Sequence, residues 1–263
     1  MKKIFSFDRF FKYFKYDLVN AKSNFGLSAL ILGFLPLMTF IIGNLFSLIF
    51  TGKWAGSAGT AFSGMAMGAT FIISSIILGV KLYGSLTDKK AGSNWIMIPA
   101  STFEKFLSMF LIVFVVVPVC LAVLLFVSDL ILRIFPGYNS ISNVMSKGVS
   151  SLAESGLIVN VPAMVWFMWG QYALAFLLGA IIFKRAKVAK TILWMFIIGT
   201  VSGIVMTKTI GLTNLPEVFV KDMSNASISA VQSRINWFLN ICWIGWIAIL
   251  GGGIFWRLKT IKH

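Results

Sequence analysis

The sequence predicts an all-α, polytopic membrane protein, with six transmembrane helices preceded by an interfacial amphipathic helix. Three observations predict it. Of 263 residues, 58% are hydrophobic and 12% are charged, where a soluble domain carries about one-quarter charged residues. Charges are absent from residues 23–52, 54–80, 106–128, 155–183, 191–207 and 235–256. The basic residues, in turn, collect in alternate connecting segments.

A charged side chain at the bilayer centre costs about 2.5–3.5 kcal/mol on insertion scales, and a spanning helix needs about 20 apolar residues. Spans are therefore expected near 27–50, 61–82, 106–130, 161–183, 191–210 and 235–256. The fifth run is short, but Lys208 can snorkel and let Ile210 and Leu212 extend it. Residues 1–22 form the interfacial helix and residues 23–263 a single membrane domain. The first apolar run is too long for a signal-peptide core of about 7–15 residues, so the N-terminal segment is expected to stay in the mature chain.

Seventeen of the 23 Lys and Arg fall in the N-terminal segment, residues 81–105, residues 184–190 and the C-terminal tail; six fall in the other set of loops. The positive-inside rule puts the first set in the cytoplasm. Both termini are then cytoplasmic, as an even number of spans requires. The net charge of +15 orients the chain and meets anionic lipid headgroups, so a nucleic-acid partner is unnecessary.

Along the chain, Phe7, Phe10, Phe11, Phe14 and Leu18 recur at helical spacing, with Asp8, Arg9, Lys12 and Lys15 opposite. A basic, aromatic-rich helix of this kind lies flat in the membrane interface. Its polar face is also free to meet a cytoplasmic partner. Pro36 and Asn44 fall in the first span and Pro118 in the third. Such prolines kink helices and are tolerated where a neighbour satisfies the freed carbonyl. Gly64 and Gly68 form one GxxxG pair, continued by Ser75 and Gly79; Gly199 and Gly203 form another. These pairs let helices approach closely, within the chain or across a dimer. Mixed apolar and polar segments at 141–152 and 213–234 are expected on the outer surface.

Catalytic chemistry is hard to find. Cys120 and Cys242 lie inside apolar runs, where free cysteine acts as a small hydrophobe. The only histidine is His263, the last residue shown. Asp129 is placed to pair with Arg133 one turn on. The sequence carries no metal-ligand spacing, no nucleophile–base arrangement and no GxxxxGK[ST] phosphate loop. The chain is therefore not expected to be an enzyme or to bind a cofactor itself. A carrier driven by an ion gradient usually keeps an ionisable group near the midplane; here only Asn44, Gln171 and Asn240 offer polarity. If the chain transports anything, its energy is expected to come from another subunit.

Between the second and third spans lies "LTDKKAGSNWIMIPASTFEKFLSMF", residues 86–110. Trp95, Ile96, Met97 and Ile98 are too few to span but enough to lie in the interface or in a protein groove. Pro99 ends that piece. Ser101 and Glu104 fit the S-x-x-E capping box, with Ser101 starting the third span and Lys105 held at the interface.

This loop resembles the permease subunits of ABC-2 type ABC transporters, especially a compact six-span bacterial group. The residues that carry the resemblance are Gly92, the apolar run Trp95, Ile96, Met97 and Ile98, then Pro99, Ala100, Ser101 and Lys105, within "MIPASTFEKFLS". The resemblance implies that residues 92–101 are a coupling helix seated on a cytoplasmic ATPase subunit, with residues 7–18 leaning on the same subunit. It further implies a second permease copy or a sister permease, ATP used by the partner, the bacterial inner membrane, and export or membrane extraction of an apolar or peptide-like substrate. Many members carry an acid near the glycine. Here Lys89 and Lys90 stand closest and Asp88 is the nearest acid, leaving either a groove of different charge or a degenerate coupling. The alternative is a non-transport membrane scaffold that anchors a cytoplasmic partner.

Overall fold

The architecture comes from a computed structural model, which describes residues 5–54, 56–87, 92, 95, 97–140, 161–209 and 228–260. The described residues are helical, without strands. The long helices are α1 (Phe7–Thr51), α2 (Gly56–Tyr83), α3 (Thr102–Leu132), α4 (Val161–Ile182), α5 (Lys187–Thr209) and α6 (Ile228–Thr260). A short 3-10 turn, Gly84–Thr87, follows α2. Four helices are long and apolar enough to cross a membrane: α1, α2 with its 3-10 turn, α3, and α4 from Val165 to Ile182. The outer segment expected at 141–152 and residues 213–227 of the one expected at 213–234 lie outside the described residues, as do Asp88, Lys89, Lys90, Ile96 and His263, whereas residues 228–234 belong to α6.

Helix directions follow from which residues meet. Thr70 bonds Leu32 and Tyr83 bonds Asp17, so α1 and α2 are antiparallel. Ser108 bonds Asp17 and Ser128 bonds Gly33, so α1 and α3 run parallel. The turn between α1 and α2 uses Gly52 at φ 67°, a left-handed cap whose N–H reaches the Leu48 carbonyl. The shared core joins Leu78, Met109, Val113, Trp169, Leu177 and Ile254. Outward, the helices present Leu27, Ile49, Phe50, Met65 and Phe196, each more than 70% exposed. So many exposed large apolar side chains fit helices that face lipid.

The N-terminal segment differs from the expected separate, flat helix. It is continuous with the first span in a 45-residue helix, about 68 Å at ~1.5 Å per residue. That is more than twice the ~30 Å hydrocarbon thickness, so α1 carries its basic first turns well beyond its apolar part. The phenylalanines also divide. Phe10 is buried and Phe14 packs against the core, whereas Phe7, Phe11 and Leu18 are exposed. The inward face is set by Phe10, Tyr13 and Asp17; Tyr13 meets the loop before α3 and Asp17 meets α3.

Both intramembrane prolines have their freed carbonyls occupied. Pro36 cannot donate to Leu32, and the Thr70 hydroxyl of α2 donates to that carbonyl instead, at 3.0 Å. In α3, residues Ile112–Val116 form a π turn just before Pro118, and the Val117 N–H reaches Ile112. In that register residue 118 would donate to Val113. Proline has no N–H, and the buried Trp169 indole of α4 donates to the Val113 carbonyl at 3.2 Å.

Of the two roles expected for the glycine pairs, packing within the chain is not seen among the described residues. Gly64 and Gly68 are exposed, and a Cβ built on either meets nothing within 4 Å. Among the described residues no helix packs on them, because the face of α2 that turns inward is Gly59, Ser63, Ala66, Thr70, Ser74 and Gly79. Gly79 is the close approach: a Cβ there would lie 2.7 Å from the Phe176 and Leu177 backbone of α4. Gly199 likewise has open space beside it, and the surroundings of Gly203 lie outside the described residues.

Candidate functional site: the polar ladder beneath the interhelical loop

The starts of α1 and α3 lie side by side, and polar residues recur on their facing sides. Arg9, Tyr13 and Asp17 are four apart along α1, so they line one face. Glu104 and Ser108 stand four apart on α3. Because the two helices run parallel, these residues pair in three tiers.

In the first tier, Ser101 and Glu104 form the capping box: the Ser101 hydroxyl accepts from the Glu104 N–H at 3.2 Å, and the Ser101 N–H donates to Glu104 Oε2 at 2.8 Å. The same carboxylate accepts from the Ser6 N–H at 2.9 Å and from Arg9 at 2.7 and 2.8 Å. Glu104 is thus fully buried yet takes four N–H donors, and it joins the first turns of α1 and α3. In the second tier, the Trp95 indole donates to the Tyr13 hydroxyl at 3.1 Å. Lys105 donates to the Trp95 carbonyl at 2.7 Å, and its ammonium stands 4.4 Å from the centre of the Trp95 ring. In the third tier, one oxygen of buried Asp17 accepts from Ser108 at 2.6 Å and Tyr83 at 2.9 Å, linking α1, α2 and α3. Lys187, the first residue of α5, donates to the Gly84 carbonyl of the 3-10 turn and brings that corner into the same end of the bundle.

The loop residues fall to opposite sides of this ladder. Gly92 is buried and Trp95 is half-buried, held from within by Tyr13 and Lys105. Met97 is 76% exposed and Pro99 is exposed, while Ile98 is half-buried. Lys105, expected to remain at the interface, is buried, because the Trp95 carbonyl and ring replace water around its ammonium. Trp95 therefore anchors the loop, and Met97 and Pro99 form its outward edge. Asp17, Tyr13, Tyr83 and Ser108 were not legible as a unit in the amphipathic reading of the N-terminus, which followed the phenylalanines. The i, i+4 recurrence of Arg9, Tyr13 and Asp17 is the signal that marks them.

A second cluster sits at the opposite end of the bundle. Asp129 accepts from Arg133 at 2.9 Å and from the Tyr138 hydroxyl at 2.7 Å, and Arg133 also donates to Ser140. Burial pushes the Tyr138 hydroxyl's pKa up, and its hydrogen bond to the charged Asp129 adds to this. This is a closed structural knot that fixes the chain leaving α3, with the Tyr138 ring 5.3 Å from Phe40 of α1.

No protein-family model, curated protein or solved structure matches the chain.

Proposed function

We propose that the chain is the membrane subunit of an ABC transporter of the ABC-2 type, driven by a separate cytoplasmic ATPase. In this reading α5 and α6 complete six spans, both termini face the cytoplasm of a bacterial cell, and a second permease copy or a sister permease completes the path. ATP is bound and used by the partner. The substrate class is apolar or peptide-like, exported or extracted from the membrane.

One observation carries the reading: among the described residues of the loop between α2 and α3, Trp95 is held from within and Met97 and Pro99 are exposed. Trp95 is tied to α1 and α3, and those helices are tied to α2 through Asp17. Met97 and Pro99 project outward. A push on that edge is delivered to three helices at once, as a coupling element requires.

The test begins with purification from membranes in mild detergent. The expected result is a complex with an ATPase subunit whose hydrolysis responds to substrate. Met97→Asp combined with Pro99→Ser should release the ATPase while leaving the chain folded. Recovery of no ATPase under conditions that keep membrane complexes intact argues against the reading. Full substrate-stimulated hydrolysis after residues 92–101 are scrambled would remove the coupling role. An ATPase that binds but never responds to substrate would favour the scaffold alternative. A reporter fused after residue 263 checks the topology: reporter activity outside the cytoplasm contradicts it.

A further inference from the structure

α5 and α6 both pack on α4, and a groove of about 490 Å³ lies between them. Its walls are apolar: Leu178 and Ile182 of α4, Trp194 and Ile198 of α5, Trp246 and Leu250 of α6. Along α4 the lining runs from Gln171 to Phe183, about 18 Å at ~1.5 Å per residue. Half of a ~30 Å hydrocarbon core is about 15 Å, so the groove is as long as one leaflet is deep.

The end of the groove at Phe183 opens onto the connecting turn with Lys184 and Arg185 and the first turn of α5 with Lys187 and Lys190. Lys184, Arg185 and Lys190 are exposed, and Lys190 lies 5.9 Å from the Phe183 ring that lines the groove. No Asp or Glu occurs between residues 155 and 216, so the mouth has no acid from its own elements to neutralise it. Lys187 is engaged with Gly84 and holds the turn in place.

We propose that this groove binds one anionic glycerophospholipid, with an acyl chain between α5 and α6 and its phosphate at Lys184, Arg185 and Lys190. An apolar channel of leaflet length ending in a basic rim is complementary to that amphiphile: apolar walls meet the chain, and cations meet the phosphate. A zwitterionic lipid fits the walls equally well but gains less from the rim. A second copy of the protein offers no clustered negative charge of its own, with 8 acidic residues against 23 basic ones. The inference does not depend on the transporter reading.

The full chain is reconstituted in nanodiscs of phosphatidylcholine, and a small mole fraction of lipid with brominated acyl chains is added, either phosphatidylglycerol or phosphatidylcholine. Bromine quenches nearby tryptophan, and Trp194 and Trp246 line the groove. Brominated phosphatidylglycerol is expected to quench more strongly at equal mole fraction. Each surface Lys or Arg contributes about five-fold to anionic-lipid binding, so the variant Lys184→Gln/Arg185→Gln/Lys190→Gln should lose the preference while keeping its helix content. Gly199 lies in the lining with open space beside it, so Gly199→Phe fills the groove and should reduce quenching by both lipids. Trp194→Phe/Trp246→Phe should remove the difference between lipids. Equal quenching by the two lipids in the unmodified protein overturns the proposal, as does a preference that survives the triple substitution. Efficient disulfide cross-linking between two copies through Trp194→Cys, with no lipid preference, would assign the groove to self-association instead.

Discussion

Asp17 offers the sharpest test of the ladder, because one of its oxygens does the work of two contacts. Ser108 and Tyr83 both donate to Oδ2, at 2.6 and 2.9 Å. An amide oxygen in the same place can accept both bonds, and it does so without a buried charge. Burying a charge is costly unless it is fully paired, and no cation contacts Asp17 among the described hydrogen bonds and ion pairs. Asp17→Asn should therefore match the native protein or exceed it in stability. Asp17→Ala strips both donors of their acceptor. Each buried unsatisfied group costs about 1–3 kcal/mol, so the loss should be about 2–6 kcal/mol. Tyr83→Phe removes one bond and should fall between the two, at about 1–3 kcal/mol. The assay is reversible unfolding in mixed detergent micelles, followed by tryptophan fluorescence, with all four proteins compared at one pH. If Asp17→Asn costs as much as Asp17→Ala, the charge itself is required, and the hydrogen-bond account of the third tier is wrong.

Other outcomes follow from the same contacts. Trp169→Phe should cost about 1–3 kcal/mol by baring the buried Val113 carbonyl; the double variant with Pro118→Ala should recover much of this, since a backbone N–H returns at 118. Additive losses in that double-mutant cycle would refute the π-turn explanation. Gly79→Ala should destabilise the chain, because its Cβ would sit 2.7 Å from the α4 backbone, whereas Gly64→Ala should be near neutral in the isolated chain; unfolding midpoints in detergent compare the two. Ala186 holds φ 51° in the turn before α5, a conformation that costs an L-residue about 1–2 kcal/mol, so Ala186→Gly should raise thermal stability, and a lowered midpoint would count against that backbone geometry.

The readability of the chain varied with the length scale of the interaction. Membrane spans follow from a one-dimensional rule, the exclusion of charge over about 20 residues, and α1, α2, α3 and α4 meet it by length and composition. The capping box at Ser101 and Glu104 and the pair at Asp129 and Arg133 are equally local, spanning three and four residues, and both are present. The N-terminal helix was harder. Its aromatic stripe reads as a lipid-facing surface, yet Phe10 and Phe14 turn inward and Phe7 and Phe11 outward. Amphipathicity gives a face but not its partner, and protein competes with lipid for any apolar stripe.

By itself the sequence determined that this is a bundle of apolar helices and how the third begins, because hydropathy and capping are properties of neighbouring residues. Only the tertiary structure decided that Trp95 is held and that Met97 and Pro99 are exposed. Trp95 meets Tyr13 across 82 positions and Glu104 meets Arg9 across 95. No window along the chain contains both partners. It was the parallel packing of α1 and α3 that brought them to hydrogen-bonding distance and left Met97 and Pro99 outside.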